Sequence, residues 1–408
     1  MNPLRIMWLA VACWMGSTTV VAEEAAPMKL VVRETAGIRR FSFPVTASAT
    51  FPEGRAGGTS SAVLRQEGRP VPVQLTVQDR WPDGSLKRAE LDFNASPGPL
   101  GEQTFELSFS DQPAKPEPSD TGGGIRIQEA ADAFRFVQGE RYFSVPKNLS
   151  RLLSGAGFAK EELVRRESPP TGLEGGIFVD GVSLASNDWQ ARVTKTGPIV
   201  ASVDFTRTFG DAKRRARVEY TSPSSKSWIR ISAELEAGPR SLVFRLPLVF
   251  NQRPLMFDMG AGTLVYGQLR DGTWVSLRQS ARHPLWSVVT GSWRPMGKPA
   301  ESAEGQAADQ TYVTALPTSV PAEGWLHVLD RKVAVAVAVE EFPRRVGCSV
   351  SLFSDGTLAI YQTQPETASQ PLRLAVYYHF VPTPVQIGAV TSPQAMLAPL
   401  EAKLELGP

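Results

Sequence analysis

Three side chains near the end of the sequence have the types and spacing to do chemistry: Arg373, Tyr377 and His379. From Leu372 to Phe380, apolar Leu372, Leu374, Val376, Tyr378 and Phe380 alternate with Arg373, Ala375, Tyr377 and His379. Such alternation marks a strand, whose side chains point to opposite faces in turn. Successive residues on one face lie about 6.6 Å apart, a span that suits one sugar ring. An arginine can hold a carboxylate, and a histidine or a tyrosine can take the proton of the carbon that the carboxylate acidifies. The structural alternative is a sheet face packed under a loop, with His379 as a hydrogen-bonded core residue.

Aromatic residues supply a second set of candidates. Seven tryptophans follow residue 22, and sugar rings stack their C–H faces on such side chains. Trp228 and Trp325 fall in strand patterns and read as core. Trp189 after Asn187-Asp188, and Trp286 and Trp293 around Gly291, read as surface positions for substrate, with simple packing as the alternative. His327 lies on a strand and His283 in a loop before Pro284, neither with a partner visible from spacing. Glu340 and Glu341 point to opposite faces of their strand, while Asp258 and Glu219 stand isolated in theirs. Two carboxyls converging across a cleft, as glycoside hydrolysis requires, are neither indicated nor excluded.

Several classes of function find no support. The formal net charge of +2 and the absence of a basic run with interleaved aromatics argue against nucleic acid. Gly57-Gly58 and Gly122 to Gly124 lack the strand-to-helix setting of a phosphate loop. No nucleophile-elbow motif stands out. With no clustered His and no second Cys in the mature chain, no metal site is expected, and no motif demands a cofactor. Cys348, in the strand pattern VGCSVSLF, reads as a buried small hydrophobe.

The elements that must position these residues are strands. From Val71 to Phe93, alternating Val71, Val73, Leu75 and Val77 precede Pro82-Asp83-Gly84, and Ala89, Leu91 and Phe93 resume the pattern. Proline fixes φ, aspartate bonds its own backbone and glycine supplies positive φ, so this is a hairpin. Arg88, Glu90 and Asp92 should share its wetter face. Longer alternating runs follow at residues 190–195, 199–209, 213–221, 228–236 and 242–250, indicating antiparallel sheets around a shared core. Residues 148–167 suggest a short helix or two. Asp180-Gly181, Asp271-Gly272 and Asp355-Gly356 read as hairpin turns, and 295–310 as a long surface loop. The run Val333 to Val339, valine on one face and alanine on the other, should be a central strand covered on both sides.

The predicted fold is therefore all-β: a small β-barrel at 28–110, a Pro- and Gly-rich linker at 111–124, and a large antiparallel β-sandwich at 125–390. In the tail, 391–408, Ser392 as N-cap and Pro393 at the first helical position predict a short helix from Gln394 to Leu404. Residues 1–22 read as a secretory signal, with Arg5, an apolar run from Ile6 to Met15 and Val20-Val21-Ala22 at the cleavage site. A secreted or periplasmic protein, free of the membrane after cleavage, is the expectation.

The stretch Arg80 to Phe93, RWPDGSLKRAELDF, together with the preceding Arg65 to Gln74, RQEGRPVPVQ, resembles the N-terminal barrel of the exo-rhamnogalacturonan lyase family. The resemblance implies a barrel, a central sandwich and a C-terminal α/α toroid, of which residues 28–390 would match the first two. It implies a polysaccharide or oligosaccharide partner of the rhamnogalacturonan or uronan type, cleaved by β-elimination near Arg373, Tyr377 and His379. The family also tends to show a histidine near the end of its central part, the place His379 occupies. Without the toroid, a non-catalytic carbohydrate-binding or accessory role is the competing expectation, and a structural surface protein a third.

Overall fold

The computed structural model describes residues 28–54, 56–57, 61–110, 123–158, 160–210, 213–251, 254–260, 264–279, 286–292, 312–314, 322–331, 333–365, 369–382 and 392–405. The expected signal, nearly all of the linker, the 295–310 loop, His283 and Trp293 lie outside them. Among the described residues the architecture is all-β: five sheets, antiparallel at every pairing, and one short α-helix.

The first unit is two sheets face to face. One contains Met28–Arg33, Glu102–Ser110 and Ser61–Gln66, and the other Phe43–Thr50, Leu86–Ala95 and Val73–Arg80. Leu30, Leu64, Leu91, Phe93, Phe105 and Leu107 are sealed between them. The chain crosses from one sheet to the other at Pro72, which has no N–H to offer a ladder. Among the described residues no hydrogen-bonded closure joins the two sheets, so this unit is a small sandwich where a barrel was expected. The hairpin is present as read. Asp83 Oδ1 accepts from the Ser85 amide at 2.8 Å and hydroxyl at 2.6 Å, and Gly84 sits at φ 85°.

The second unit stacks a seven-stranded sheet on a ten-stranded one, and a five-stranded sheet from Arg126–Glu129 to Glu161–Glu162 contributes to the same core. The strands expected from alternation all appear, among them Val200–Phe209, Arg214–Pro223 and Trp228–Leu235. Val333–Val339 lies well inside the ten-stranded sheet, between Trp325–Leu329 and Leu372–Pro382, with its valines in the core. Three readings need correction. The described residues of 148–167 form no helix: Gly155 and Gly157 are in a strand under Tyr142, where a Cβ on Gly157 would come within 2.0 Å of the ring. Asp271-Gly272 links Leu264–Leu269 of one sheet to Thr273–Gln279 of the other and closes no hairpin. The terminal helix spans only Pro393–Leu397, because Pro399 cannot continue it. Glu401–Glu405 then pairs with Met28–Arg33, so the segment read as a tail is a strand of the first unit.

The first unit sits on the outer face of the ten-stranded sheet. Gln74 Oε1 accepts from the amides of Ile199 (2.9 Å) and Val200 (3.0 Å), and its Nε2 donates to the Val200 carbonyl. Lys195 reaches Asp92 at 2.8 Å and Glu90 at 2.9 Å. Asp92, expected on a wet face, is fully buried, because that face of the hairpin is covered by the larger sheet.

Candidate functional site

Arg373, Tyr377 and His379 do share the outer face of the ten-stranded sheet, but they do not share solvent. His379 has 0% exposure. Its cross-strand neighbours Trp228 and Ala336 belong to a buried cluster with Phe43, Ala395 and Met396, and the Trp228 ring meets it edge-on at 5.8 Å. The first unit and the helix thus cover His379, one of the two residues expected to remove a proton. Tyr377 is half-buried and bonds the Glu340 carboxylate. Burial, reinforced by Glu340, pushes its phenol well above the ordinary tyrosine range and keeps it neutral. Arg373 is exposed and pairs with Glu234 at 2.9 Å.

The neighbouring cations of this face are paired as well. Arg230 grips Glu340 at 2.6 and 3.0 Å, and Arg217 meets Asp204 at 2.8 Å. Burial pushes the Glu340 carboxyl up, but the Arg230 guanidinium outweighs it and the net shift is down. A uronate arriving here would have to compete with carboxylates already in place.

A different place brings chemical groups together with space for a ligand. Where the first unit, the helix and the sheet meet, a groove of about 680 Å³ is lined by Ile38, Glu323, Glu341, Arg344, Gln394 and Leu397, among others. Each wall has a local cause. Gly324, at φ 84°, lets the chain turn against Phe342 just after Glu323, whose carboxylate accepts from the Trp325 indole at 2.8 Å. Glu341 is held in the left-handed region at φ 56°, followed by the turn Phe342–Arg344, with Phe342 fully buried. Its carboxylate pairs with Arg345 at 2.9 Å. A positive φ at a non-glycine residue is strained and persists where surrounding structure enforces it.

The other two walls are locked by a buried ion pair. Glu34 accepts from the amides of Ala36 (3.0 Å) and Ile38 (3.1 Å), which shapes the loop. Arg40 bonds Glu34 at 3.0 Å and donates to the Ala395 and Ala398 carbonyls at 2.7 and 2.6 Å, capping the helix. Burial pushes the Glu34 carboxyl up, but the Leu100 amide, Arg40 and the Ala36 and Ile38 amides together hold it at about 2.

The surface position expected for Trp189 is corrected. It is 7% exposed, bonds the Leu184 carbonyl through its indole and packs in the main core. Trp286 is half-buried on the edge strand Trp286–Ser292 and leans on the same core. Sequence reasoning missed Glu34, Arg40, Glu323 and the groove, and it missed that Asp258 stands directly across from His327 on adjacent strands. Burial raises the Asp258 carboxyl to about 6, opposed by a bond from the Met259 amide, and lowers His327. A carboxyl whose folded pKa lies above its ordinary value lends stability below pH 4 that is lost as pH rises through about 6. Asp258→Asn should therefore gain about 1 kcal/mol at pH 7.5, discounted for half exposure, and nothing at pH 4. Urea midpoints at the two pH values measure this; equal shifts would refute it.

Among the described residues no group of three or more His, Cys, Asp or Glu is placed to hold a metal. No helix among them is long and apolar enough to cross a membrane.

No family model matches the chain, and no curated protein matches it. Among solved structures it is similar to an α-mannosidase from Enterococcus faecalis V583, at 10% identity and a TM-score of 0.48, covering 94% of this chain and 47% of that one. It is also similar to a glycosyl hydrolase family 38 protein from Enterococcus faecalis (10% identity, TM-score 0.46, 93% and 47% covered). A galactose mutarotase related enzyme from Lactobacillus acidophilus matches at 10% identity and a TM-score of 0.33, covering 64% of this chain and 98% of that one. The chain thus spans about half the length of the first two. Likeness at this level carries no argument about activity.

Proposed function

We propose that this chain binds carbohydrate in the groove between the first unit, the terminal helix and the ten-stranded sheet. The observation that carries the reading is the lining of that groove. Glu323, Glu341, Arg344 and Gln394 offer acceptors and donors for hydroxyls beside the apolar Ile38 and Leu397, which suit the C–H face of a sugar ring. Its volume falls in the ordinary range of small-ligand sites. Two carboxylates and one guanidinium favour a neutral or weakly charged glycan over a polyuronate.

A second reading, elimination from a uronic acid, is favoured by one observation: Tyr377 keeps a neutral phenol between Glu340 and Arg230, able to donate a proton. Against it, His379 is covered and Arg230 and Arg373 are ion-paired. Binding without cleavage is therefore the reading preferred, for a protein expected to work outside the cytoplasm.

The test is calorimetric titration of the chain with neutral and uronic oligosaccharides, rhamnogalacturonan fragments included, with absorbance followed for an unsaturated product. Binding should weaken at least about tenfold in Leu397→Arg, which places a long cation in the groove, under conditions where circular dichroism shows the variant folded. An absorbing product abolished by Tyr377→Phe would establish elimination instead. A wild-type chain that binds no glycan would overturn both.

A further inference from the structure

Beyond the groove, the outer face of the ten-stranded sheet holds a carboxylate with a hydrogen-bonding gap. Asp258 Oδ1 is buried and has no hydrogen-bond partner among the described residues. The other acids considered on this face differ: Asp204, Glu234 and Glu340 each face an arginine, and Glu323 accepts from an indole. A buried acceptor left without a donor is costly, and such a group in a folded protein calls for an explanation. His327 stands opposite it and Tyr266 opposite on the other side; Ala336 lies beyond His327, and the Trp325 ring, hydrogen-bonded to the Glu323 carboxylate, lies 5.5 Å from the imidazole, so a phenol, a methyl and an indole face the pair. Exposed Met256 and Leu329 form an apolar margin.

The pair is continuous with the groove. Glu323 lies just before the strand Trp325–Leu329 and accepts from the Trp325 indole at 2.8 Å, and Trp325 and His327 share the outer face of that strand with their rings 5.5 Å apart. Trp325 lies against Gly260, where a Cβ would come within 2.0 Å of the indole, so the ring hugs the sheet instead of walling off the path. A ligand extending from the groove toward Asp258 passes Trp325 and His327.

We propose that Asp258 and His327 form an outlying polar subsite of the groove, so that the ligand is an oligosaccharide whose far ring donates a hydroxyl to Asp258. This rests on the reading of the groove as a carbohydrate site. Asp258 accepts when ionised and donates when protonated, so the subsite changes hydrogen-bonding polarity near pH 6.

The test uses cellotetraose, mannotetraose and tetragalacturonate with their monosaccharides, titrated calorimetrically into the full chain at pH 5 and pH 7.5. Asp258→Ala and His327→Ala should each weaken tetrasaccharide binding about tenfold and leave monosaccharide binding unchanged. Asp258→Asn, which keeps an acceptor and the shape, should retain binding at pH 7.5 and lose the difference between the two pH values. Tetrasaccharide affinity equal to wild type in both alanine variants would overturn the subsite, as would equal losses for tetrasaccharide and monosaccharide. Leu397→Arg separates the two claims. If it abolishes binding while Asp258→Ala does not, the groove stands and the subsite falls; if no probe binds the wild type, the groove reading itself falls.

Discussion

Arg40→Ala should destabilise the chain by about 3–5 kcal/mol, the range for stripping one partner from a buried ion pair, and abolish binding in the groove. Arg40 and Glu34 are both almost fully buried, with side-chain exposures of 1% and 0%. Without Arg40, the Glu34 carboxylate keeps its amide bonds but loses its counter-charge, and the Ala395 and Ala398 carbonyls at the helix end lose their donors. The short helix has no basic residue in its last turn to replace them. Its mooring to the loop 36–38 would be gone, and with it the spacing of two groove walls. Urea unfolding measures the stability loss, and limited proteolysis after residue 392 should accelerate. The pair also sets an acid limit. Because the folded Glu34 carboxyl sits at about 2, below its ordinary 4.5, its contribution is present above pH 4.5 and is lost as pH falls through about 2. Glu34→Gln should flatten that part of the acid-unfolding curve. A wild-type-like midpoint for Arg40→Ala would refute the account of the junction.

Gly324→Ala should cost about 3 kcal/mol and remove binding even where the protein stays folded. Two costs combine. The backbone at φ 84° suits glycine, and a side chain there is strained. A Cβ would also lie 2.1 Å from the Phe342 Cβ, an atom that cannot rotate aside. Phe342 is fully buried and anchors the turn after Glu341, so its displacement moves the wall that carries Glu341, Pro343 and Arg344. The same substitution at Gly181, also at positive φ but with nothing within 4 Å of the added atom, isolates the backbone cost. Gly181→Ala should cost about 1 kcal/mol and leave binding intact. Comparable losses at both positions would show that crowding against Phe342 does not matter.

Periodic residues made most of the fold legible. Val333 to Val339 announces its two faces by alternation, and Asp83 and Gly84 announce their turn, because each signal is carried within a few residues. Face assignment was legible too: Arg373, Tyr377 and His379 do share one. What covers a face was not. The gradient from exposed Arg373 to buried His379 is set by Phe43, far away in sequence, and by Met396 on the terminal helix. The groove was illegible for the same reason, since Arg40 meets Ala395 across 355 positions and no local pattern marks either. Trp189 misled because its neighbours Asn187 and Asp188 look like a surface turn while the ring turns inward. The last strand was hidden by overlooking Pro399, which ends the helix and frees Glu401–Glu405 to pair with Met28–Arg33.

Hydrogen exchange of the chain, with and without the tightest-binding oligosaccharide of the panel, tests the central claim most directly. The ligand should slow exchange at residues 36–40, 322–327, 341–345 and 394–398, the segments that build the groove and its extension. Slowing confined to 228–234 and 372–377 would place the ligand on the arginine-rich stretch of the sheet, and the groove would not be the site.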